Sequence, residues 1–336
     1  MRRCSFCLIE DCYPGVHLDG RGYCASCAKF EKTDPAEYAQ KNLVLVRQLE
    51  DFVRRRRSPG RSGGRYDCVV ALSGGKDSAF VAWLFAKKYG LRCMAATVDM
   101  GYLSRDATKN IGFVSRKLNI SHVYLRPPFL FKKVFAYAFK TDFFSKVNGL
   151  ACHLCGSLIS NLLCRLASDL KVPYVVSGAF SPENRVLFKD EETVYLEKEF
   201  PSSLLRCLRK TYARWFYSGP TDGGQRLSIV LPLNAILVSE EKKMKILGRE
   251  LGFGRRESFA PPLTNCLVSL ASIYLYRKKF GYNPYSETLG HLIRHGMYDR
   301  ALSLKRLKEL YANLDGSSSL RREINDFFLS IKTKRA

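Results

Sequence analysis

Cysteine carries the first chemical signal in this chain. Cys4 and Cys7 form one Cys-x2-Cys pair and Cys24 and Cys27 a second, with sixteen residues between them. That spacing suits a four-thiolate zinc site, in which each pair sits on a tight turn and presents two sulfurs about 2.3 Å from one ion. Chance spacing and an iron–sulfur centre are the competing readings. Gly20, Gly22 and Pro14 supply turn chemistry between the pairs. A segment of about 30 residues buries too little to fold alone, so metal would supply its folding energy. Four thiolates leave no open coordination position, which points to structural zinc. Cys12 is a spare or alternative ligand.

A second group is Cys152-x2-Cys155, with Cys266 over a hundred residues later. Three thiolates are one short of the usual four around an iron–sulfur cluster, which would leave one iron open to substrate or sulfide. The alternatives are a redox dithiol with an unrelated buried Cys266, or simple core cysteines. Cys68, Cys93, Cys164 and Cys207 lie in apolar surroundings and are expected as small core residues.

The third signal is Ser73-Gly74-Gly75-Lys76-Asp77-Ser78. Two glycines let the backbone turn tightly and aim N–H groups at an anion, and a following helix adds its positive end. Lys76 can neutralise phosphate, Asp77 could hold Mg²⁺, and Ser73 and Ser78 offer hydroxyl donors. Asp77 after the lysine breaks the Walker A pattern, and no G-x-G-x-x-G fingerprint occurs here. The bland alternative is an ordinary strand–helix turn.

These residues need a frame. Pro35 opens a helix expected over 35–55, with Leu43, Val46, Leu49 and Val53 at helical spacing. Residues 54–65 read as a basic, Gly/Ser/Pro-rich linker that either contacts phosphates or is a solvated hinge. Strands are expected at 67–72, 92–98, 122–125, 174–177 and 228–231, and helices at 77–89, 106–118 and 158–170. That alternation predicts an α/β fold, a parallel doubly wound sheet whose ligands gather at strand C-terminal ends. From Ser239 onward the chain reads as helical. The expected division is a zinc-binding module at 1–34, helix and linker at 35–65, a nucleotide-binding domain at 66–238 and a helical region at 239–336 carrying Cys266.

Residues 73–78 after Tyr66-Asp-Cys-Val-Val-Ala-Leu72 resemble the SGGxDS signature of the PP-loop (N-type) ATP pyrophosphatase superfamily, over roughly residues 66–270. The resemblance implies cleavage of ATP to AMP and pyrophosphate, with adenylation of a carbonyl oxygen that a nitrogen or sulfur nucleophile then displaces. It implies that Ser73, Gly74, Gly75, Asp77 and Ser78 bind pyrophosphate with Lys76 in support, and that Asp99 and Gly178 contact the nucleotide. Cys152, Cys155 and Cys266 resemble the three ligands of cluster-dependent tRNA thiolation enzymes, which implies a [4Fe–4S] cluster whose open iron carries sulfide. After Gly178, however, Ala-Phe-Ser-Pro-Glu-Asn184 departs from the run usual in those enzymes. Both ends of the chain, including Phe280-Gly281-Tyr282 and the segment from Ile293 to Leu302, resemble nucleotide-sugar amidotransferases instead. Those take ammonia from a glutaminase partner and need no cluster.

Charge weighs between the two. There are 55 Lys+Arg against 31 Asp+Glu, a net charge of +24, which suggests a polyanionic partner beyond ATP. With 46% hydrophobic and 26% charged residues, whole-chain disorder is excluded. No run reaches the roughly 18–20 apolar residues of a membrane-spanning helix, and Met-Arg-Arg-Cys has no apolar signal core, so a cytoplasmic protein is expected. The leading expectation is an enzyme using ATP, Mg²⁺, Zn²⁺ and a [4Fe–4S] cluster to thiolate tRNA. A sulfur donor protein or sulfide, and a homodimer, are expected partners and assembly. Amidotransfer to a nucleotide-linked N-acetyl sugar is the alternative, and a non-catalytic zinc-ribbon nucleic-acid binder the second. For tRNA, the candidate surfaces are 54–65, 206–210, 277–279 and 332–335, interleaved with Tyr212, Trp215, Tyr274 and Tyr276 for base stacking. The same aromatics could equally be core faces of helices. His153 is a candidate base or a packing residue.

Overall fold

The computed structural model describes residues 2–57, 65–127, 129–140, 149–180, 185–220, 226–254 and 266–332. Its centre is a six-stranded sheet: β1 (Cys68–Ala71), β2 (Cys93–Val98), β3 (Ser121–Leu125), β4 (Tyr174–Val176), β5 (Phe188–Asp190) and β6 (Ser228–Val230), in the order β3-β2-β1-β4-β6-β5. All neighbours run parallel except β5, which pairs antiparallel with β6. Short β-branched runs buried on both sides make such strands, and their residues divide by parity. Val69, Ala96, Val175 and Ile229 face one core, whereas Cys68, Val70, Ala95 and Val230 face the other.

Each core is closed by helices. On the Val70 side lie α2 (Pro35–Arg57), α3 (Lys76–Trp83), α4 (Arg105–Leu118) and α9 (Glu240–Leu251). On the Val69 side lie α5 (Leu130–Lys140), α6 (Leu150–Asp169), the short α7 (Leu196–Glu199), α8 (Ser202–Tyr212), α10 (Leu267–Phe280) and α13 (Ser318–Ile331). The sheet is therefore doubly wound. Strand order reverses between β1 and β4, and the loops leaving their C-terminal ends flank a crevice, the usual ligand position in such folds.

The N-terminal segment meets the helical region that follows residue 266. A cysteine-rich N-terminal segment with α1 (Ala25–Glu31) packs on α10 and on α11 (Ser286–Arg294), burying Cys4, Tyr13, Tyr276 and Tyr282 in one cluster. Gly290 makes this fit possible, because a Cβ there would stand 3.2 Å from Cys7 Sγ. The last helix on this side is α12 (Arg300–Gly316).

Two sequence expectations shift. Helix α2 keeps Arg54–Arg57, which the sequence reading assigned to the linker. Four cations suit a helix C-terminus, and Arg56 stacks 4.2 Å over the Tyr174 ring. Residues 58–64 of the linker lie outside the described ones. Helix α6 begins eight residues before the expected 158, after Gly149 in the left-handed conformation (φ 67°). Cys152 and Cys155 thus sit within a helix, three residues apart on one face.

Candidate functional site

The loop 73–75 leaves β1 and opens α3 directly. Gly74 has φ 79°, and a Cβ on it would stand 2.2 Å from the Ala107 carbonyl oxygen, so only glycine fits where the loop meets α4. Asn110 Nδ2 donates to the Gly74 carbonyl at 3.0 Å. The Ser78 hydroxyl donates to the Gly75 carbonyl at 2.9 Å and accepts from Ser73 N and Ser73 Oγ, both at 3.2 Å. Ser73 and Ser78 thus brace the turn. From the β4 side, a Cβ on Gly178 would come within 3.0 Å of Asp77 C and Ser78 N. The first turn of α3, with its outward N–H groups, therefore stands in the β1/β4 crevice, where an anion is stabilised by the helix end.

Charge is concentrated on the same turn. Lys76 Nζ donates to Asp77 Oδ2 at 3.1 Å and to Tyr298 Oη at 2.5 Å. Lys243 of α9, with a side chain only 2% exposed, donates to Asp77 Oδ1 at 2.6 Å. Burial opposes charge on Asp77, but Lys76 and Lys243 outweigh it and hold the carboxyl below its ordinary range. Burial pushes Tyr298 up to about 12, so it stays a neutral phenol. Two lysines and one carboxylate leave this turn net cationic, as phosphate binding requires. Asp99, after β2, accepts from Gly101 N at 2.9 Å and Arg126 Nε at 2.8 Å. It stands on the same edge of the sheet, one strand over.

The sulfurs of Cys4, Cys7, Cys24 and Cys27 all lie within 4.8 Å of one another and all four residues are buried. Each pair is held by its own turn: Leu8 N bonds Cys4 O at 3.1 Å, with Leu8 in the left-handed region, and Ala28 N bonds Cys24 O at 3.0 Å. Cys24 N–H points at Cys4 Sγ (3.3 Å). Hydrogen bonds among the sulfurs, chiefly from Cys27, pull the Cys24 thiol down to about 6. Arg294, 8% exposed, points Nη1 at Cys27 Sγ (3.5 Å) and Nη2 at His291 Nδ1 (2.9 Å). Among the described residues no carboxylate pairs with it. A buried guanidinium needs a counter-charge, and a metal-bound thiolate set provides one. This donor set fits a tetrahedral zinc ion.

The other three cysteines gather at the loop after β2. Cys155 Sγ lies 3.7 Å from Met100 Sδ, Cys152 Sγ lies 2.7 Å from Tyr285 Oη, and Cys266 forms a bridge pair with Leu103. Burial pushes the Cys152 thiol up to about 12, with Cys266 adding to it; Cys155 and Cys266 are raised mainly by the same burial. Their sulfurs do not form a group within 4.8 Å, unlike the first four. The spacing suits a multi-atom group better than a single ion, and iron would displace the thiol protons on binding. Since Gly74 abuts the start of α4, which this loop precedes, the triad and the phosphate turn share one end of the sheet.

No family model matches the chain. It is 22% identical over 322 residues to the uncharacterized protein MJ1599 of Methanocaldococcus jannaschii, covering 93% of this chain and 97% of that one. Among solved structures it is similar to the U34-tRNA thiolase NcsA from Methanococcus maripaludis with its [4Fe-4S] cluster (19% identity, TM-score 0.35, 76% of this chain and 80% of that one). It is also similar to the NMN synthetase from Francisella tularensis (17% identity, TM-score 0.38, 91% and 99%). Likenesses of this size leave function to be argued from the chain's own residues.

Several expectations change on contact with the geometry. Tyr212 and Tyr276 are buried, 5% and 1% exposed, so they are core faces of helices and present no stacking surface. Arg277 lies 3.9 Å over the Tyr311 ring and pairs with Asp315. Arg209 pairs with Glu197. Residues 333–335 of the tail are outside the described ones, as is 184. His153 bonds Glu199 at 2.5 Å on an exposed face, engaged away from the turn. Cys68, Cys93 and Cys164 are buried as expected, but Cys207 is exposed, opposite the Leu204/Leu208 face of α8. Lys243 and Tyr298 were missed. Lys243 stands in a Glu-Glu-Lys-Lys run that reads as a solvated face, and only packing of α9 on α3 reveals it.

Proposed function

We propose that this chain is an ATP pyrophosphatase of the PP-loop type that adenylates a carbonyl oxygen and then transfers sulfur. The observation that carries the reading is the ion-paired set of Lys76 and Asp77 on the first turn of α3 with the buried Lys243 of α9, at the strand-order reversal. ATP would lay its β- and γ-phosphates on residues 73–78. The substrate carbonyl oxygen attacks the α-phosphorus, the α–β bridging bond breaks, and pyrophosphate leaves with the electron pair. Lys76, Lys243 and the helix end stabilise that charge, and most of the catalysis is positioning and electrostatics. Mg²⁺, which Asp77 would help hold, neutralises phosphate charge when bound. The sulfur nucleophile then attacks the activated carbon, the carbon–oxygen bond breaks, and AMP leaves. Cys152, Cys155 and Cys266 would hold a [4Fe–4S] cluster, which supplies the site for sulfide when bound. The Cys4/Cys7/Cys24/Cys27 zinc site would be structural.

The surplus of positive charge supports tRNA as acceptor, and exposed Arg54, Arg206 and Lys278 suit phosphate contacts. A second reading, amidotransfer to a nucleotide-linked sugar, is favoured by one observation. The two chain ends that resemble amidotransferases pack as one unit, and their last segment sets Tyr298 against Lys76. Iron, sulfide and zinc content of anaerobically purified protein separates them: zinc with a cluster supports sulfur transfer, and zinc alone supports amidotransfer. Pyrophosphate release from Asp77→Ala should fall about 100-fold or more. Unchanged turnover would remove Asp77 and its turn from the chemistry, and no pyrophosphate release from the wild type would leave a non-catalytic nucleic-acid binder.

A further inference from the structure

A separate cleft of about 790 Å³ opens between α1, α2 and the end of α11, lined by Lys29, Phe30, Tyr38, Lys41, Arg185 and His295 among others. Among the described residues no acidic side chain lines it. Arg185 is fixed there: Nε donates to the Asn234 carbonyl at 3.0 Å, Nη2 reaches Asn42 Oδ1, and the guanidinium lies 5.0 Å over the Tyr38 ring. Among the described residues these partners are all neutral. Lys29 makes no ion pair among the described residues, and Lys41 pairs only with the exposed Glu37. Arg294 also borders the cleft, with its charge shared by Cys27. The field is felt nearby: burial, with Arg185, His291 and Arg294 adding to it, pushes His295 down to about 4, so its ring stays neutral. Tyr38 stacks on that ring and is bonded to His295 Nδ1 at 2.7 Å, fixing one wall.

We infer that this cleft is a second anion site, distinct from the 73–78 turn, that binds the phosphate or pyrophosphate group of a small phosphorylated molecule. Lys29 and Arg185, without an ion pair among the described residues, and Lys41, whose one partner is the exposed Glu37, line one concave space from three elements and form an electrostatic trap for multiply charged phosphate. A preorganised guanidinium matches phosphoryl oxygens in a way a loose surface lysine does not. The volume falls within the roughly 300–1,000 Å³ range of small-ligand pockets. Val44 and Leu45, with Phe30, add an apolar flank against which the organic part of the ligand can rest. The cleft is coupled to the turn through its own walls. His295 is followed within three residues by Tyr298, which contacts Lys76, and Phe180, two residues after Gly178, packs edge-on to His295.

The test uses the full, zinc-loaded chain with the 73–78 turn saturated by α,β-methylene-ATP and Mg²⁺, titrated calorimetrically with inorganic pyrophosphate. One remaining pyrophosphate site is expected, weakened at least fivefold in the exposed double variant Lys29→Gln/Lys41→Gln and further in Arg185→Gln. Absence of that site, or the same affinity in all variants, overturns the inference. A short oligoribonucleotide that binds these residues without competition from pyrophosphate also overturns it, making the cleft an RNA surface. Failure of the ATP analogue to bind would instead sink the proposed function. The cleft is then still read from the difference between wild type and the Lys29, Lys41 and Arg185 variants.

Discussion

Two groups of cysteines in this chain share residue type and the Cys-x2-Cys motif, yet the fold treats them in opposite ways. Cys4, Cys7, Cys24 and Cys27 sit on turns, with sulfurs inside 4.8 Å of one another and a buried guanidinium beside them. Cys152 and Cys155 sit on a helix, Cys266 comes from the start of α10, and each sulfur has a different neighbour: Tyr285, Met100 and Ser269. Turns let two sulfurs converge on a point, and cationic and N–H donors then stabilise the anionic form. A helix face spreads them, and apolar packing keeps them protonated. The first arrangement has the geometry to hold one small ion, and the second does not.

Removing metal is expected to produce the largest contrast. Chelation, or Cys24→Ser, should cost the N-terminal segment several kcal/mol of metal-linked folding energy and lower the melting temperature by roughly 10 °C or more, read by calorimetry. An unchanged melting curve would break the comparison. Next in size, Cys155→Ala should abolish group transfer while pyrophosphate formation persists, with a stability change of about 1–2 kcal/mol. Loss of both half-reactions together would show that the triad serves the phosphate turn instead. Arg294→Met should weaken zinc affinity about 10–100-fold in a competition titration, the size typical of groups that support metal ligands. The smallest effect is a pH slope. The raised thiols of Cys152, Cys155 and Cys266 bind protons in the folded chain that the unfolded chain releases near pH 9. Their stabilisation is whole below that pH and drains away as pH rises toward about 12. Cluster-free protein should therefore melt progressively earlier above about pH 9. A flat melting temperature across that window would remove the triad's burial from the account.

Much of the fold could be read directly from local pattern. The strands at 93–98 and 228–230, and the helix at 105–118, emerge within a residue or two of expectation, because β-branched runs and Ser104 capping act over a few neighbours. Less legible were α5, β5 and the early start of α6. Strand β5 is three residues and, among the described residues, pairs in the sheet with β6 alone. Gly149 signals a turn only once its left-handed conformation is seen. Aromatics among basic residues misled for a related reason: Tyr276 belongs to a helix whose apolar residues run all the way round, so no polar face marked the side that is buried.

The candidate site divides along the same line. Sequence alone determined the 73–78 turn and the gathering of Cys4, Cys7, Cys24 and Cys27, since both depend on residues within one turn or two short knuckles, where spacing dictates geometry. Only the tertiary structure decided that Lys243 and Tyr298 join Asp77 and Lys76, that Arg294 faces Cys27, and that Cys266 reaches the Cys152/Cys155 helix. Those contacts link residues from 111 to 267 positions apart in sequence, so no local spacing constrains them. They exist because α9 must bury its apolar face on α3, and because the N-terminal segment packs on α10 and α11. Burial then makes an opposite charge the strongest partner for Lys243, and Asp77 supplies it.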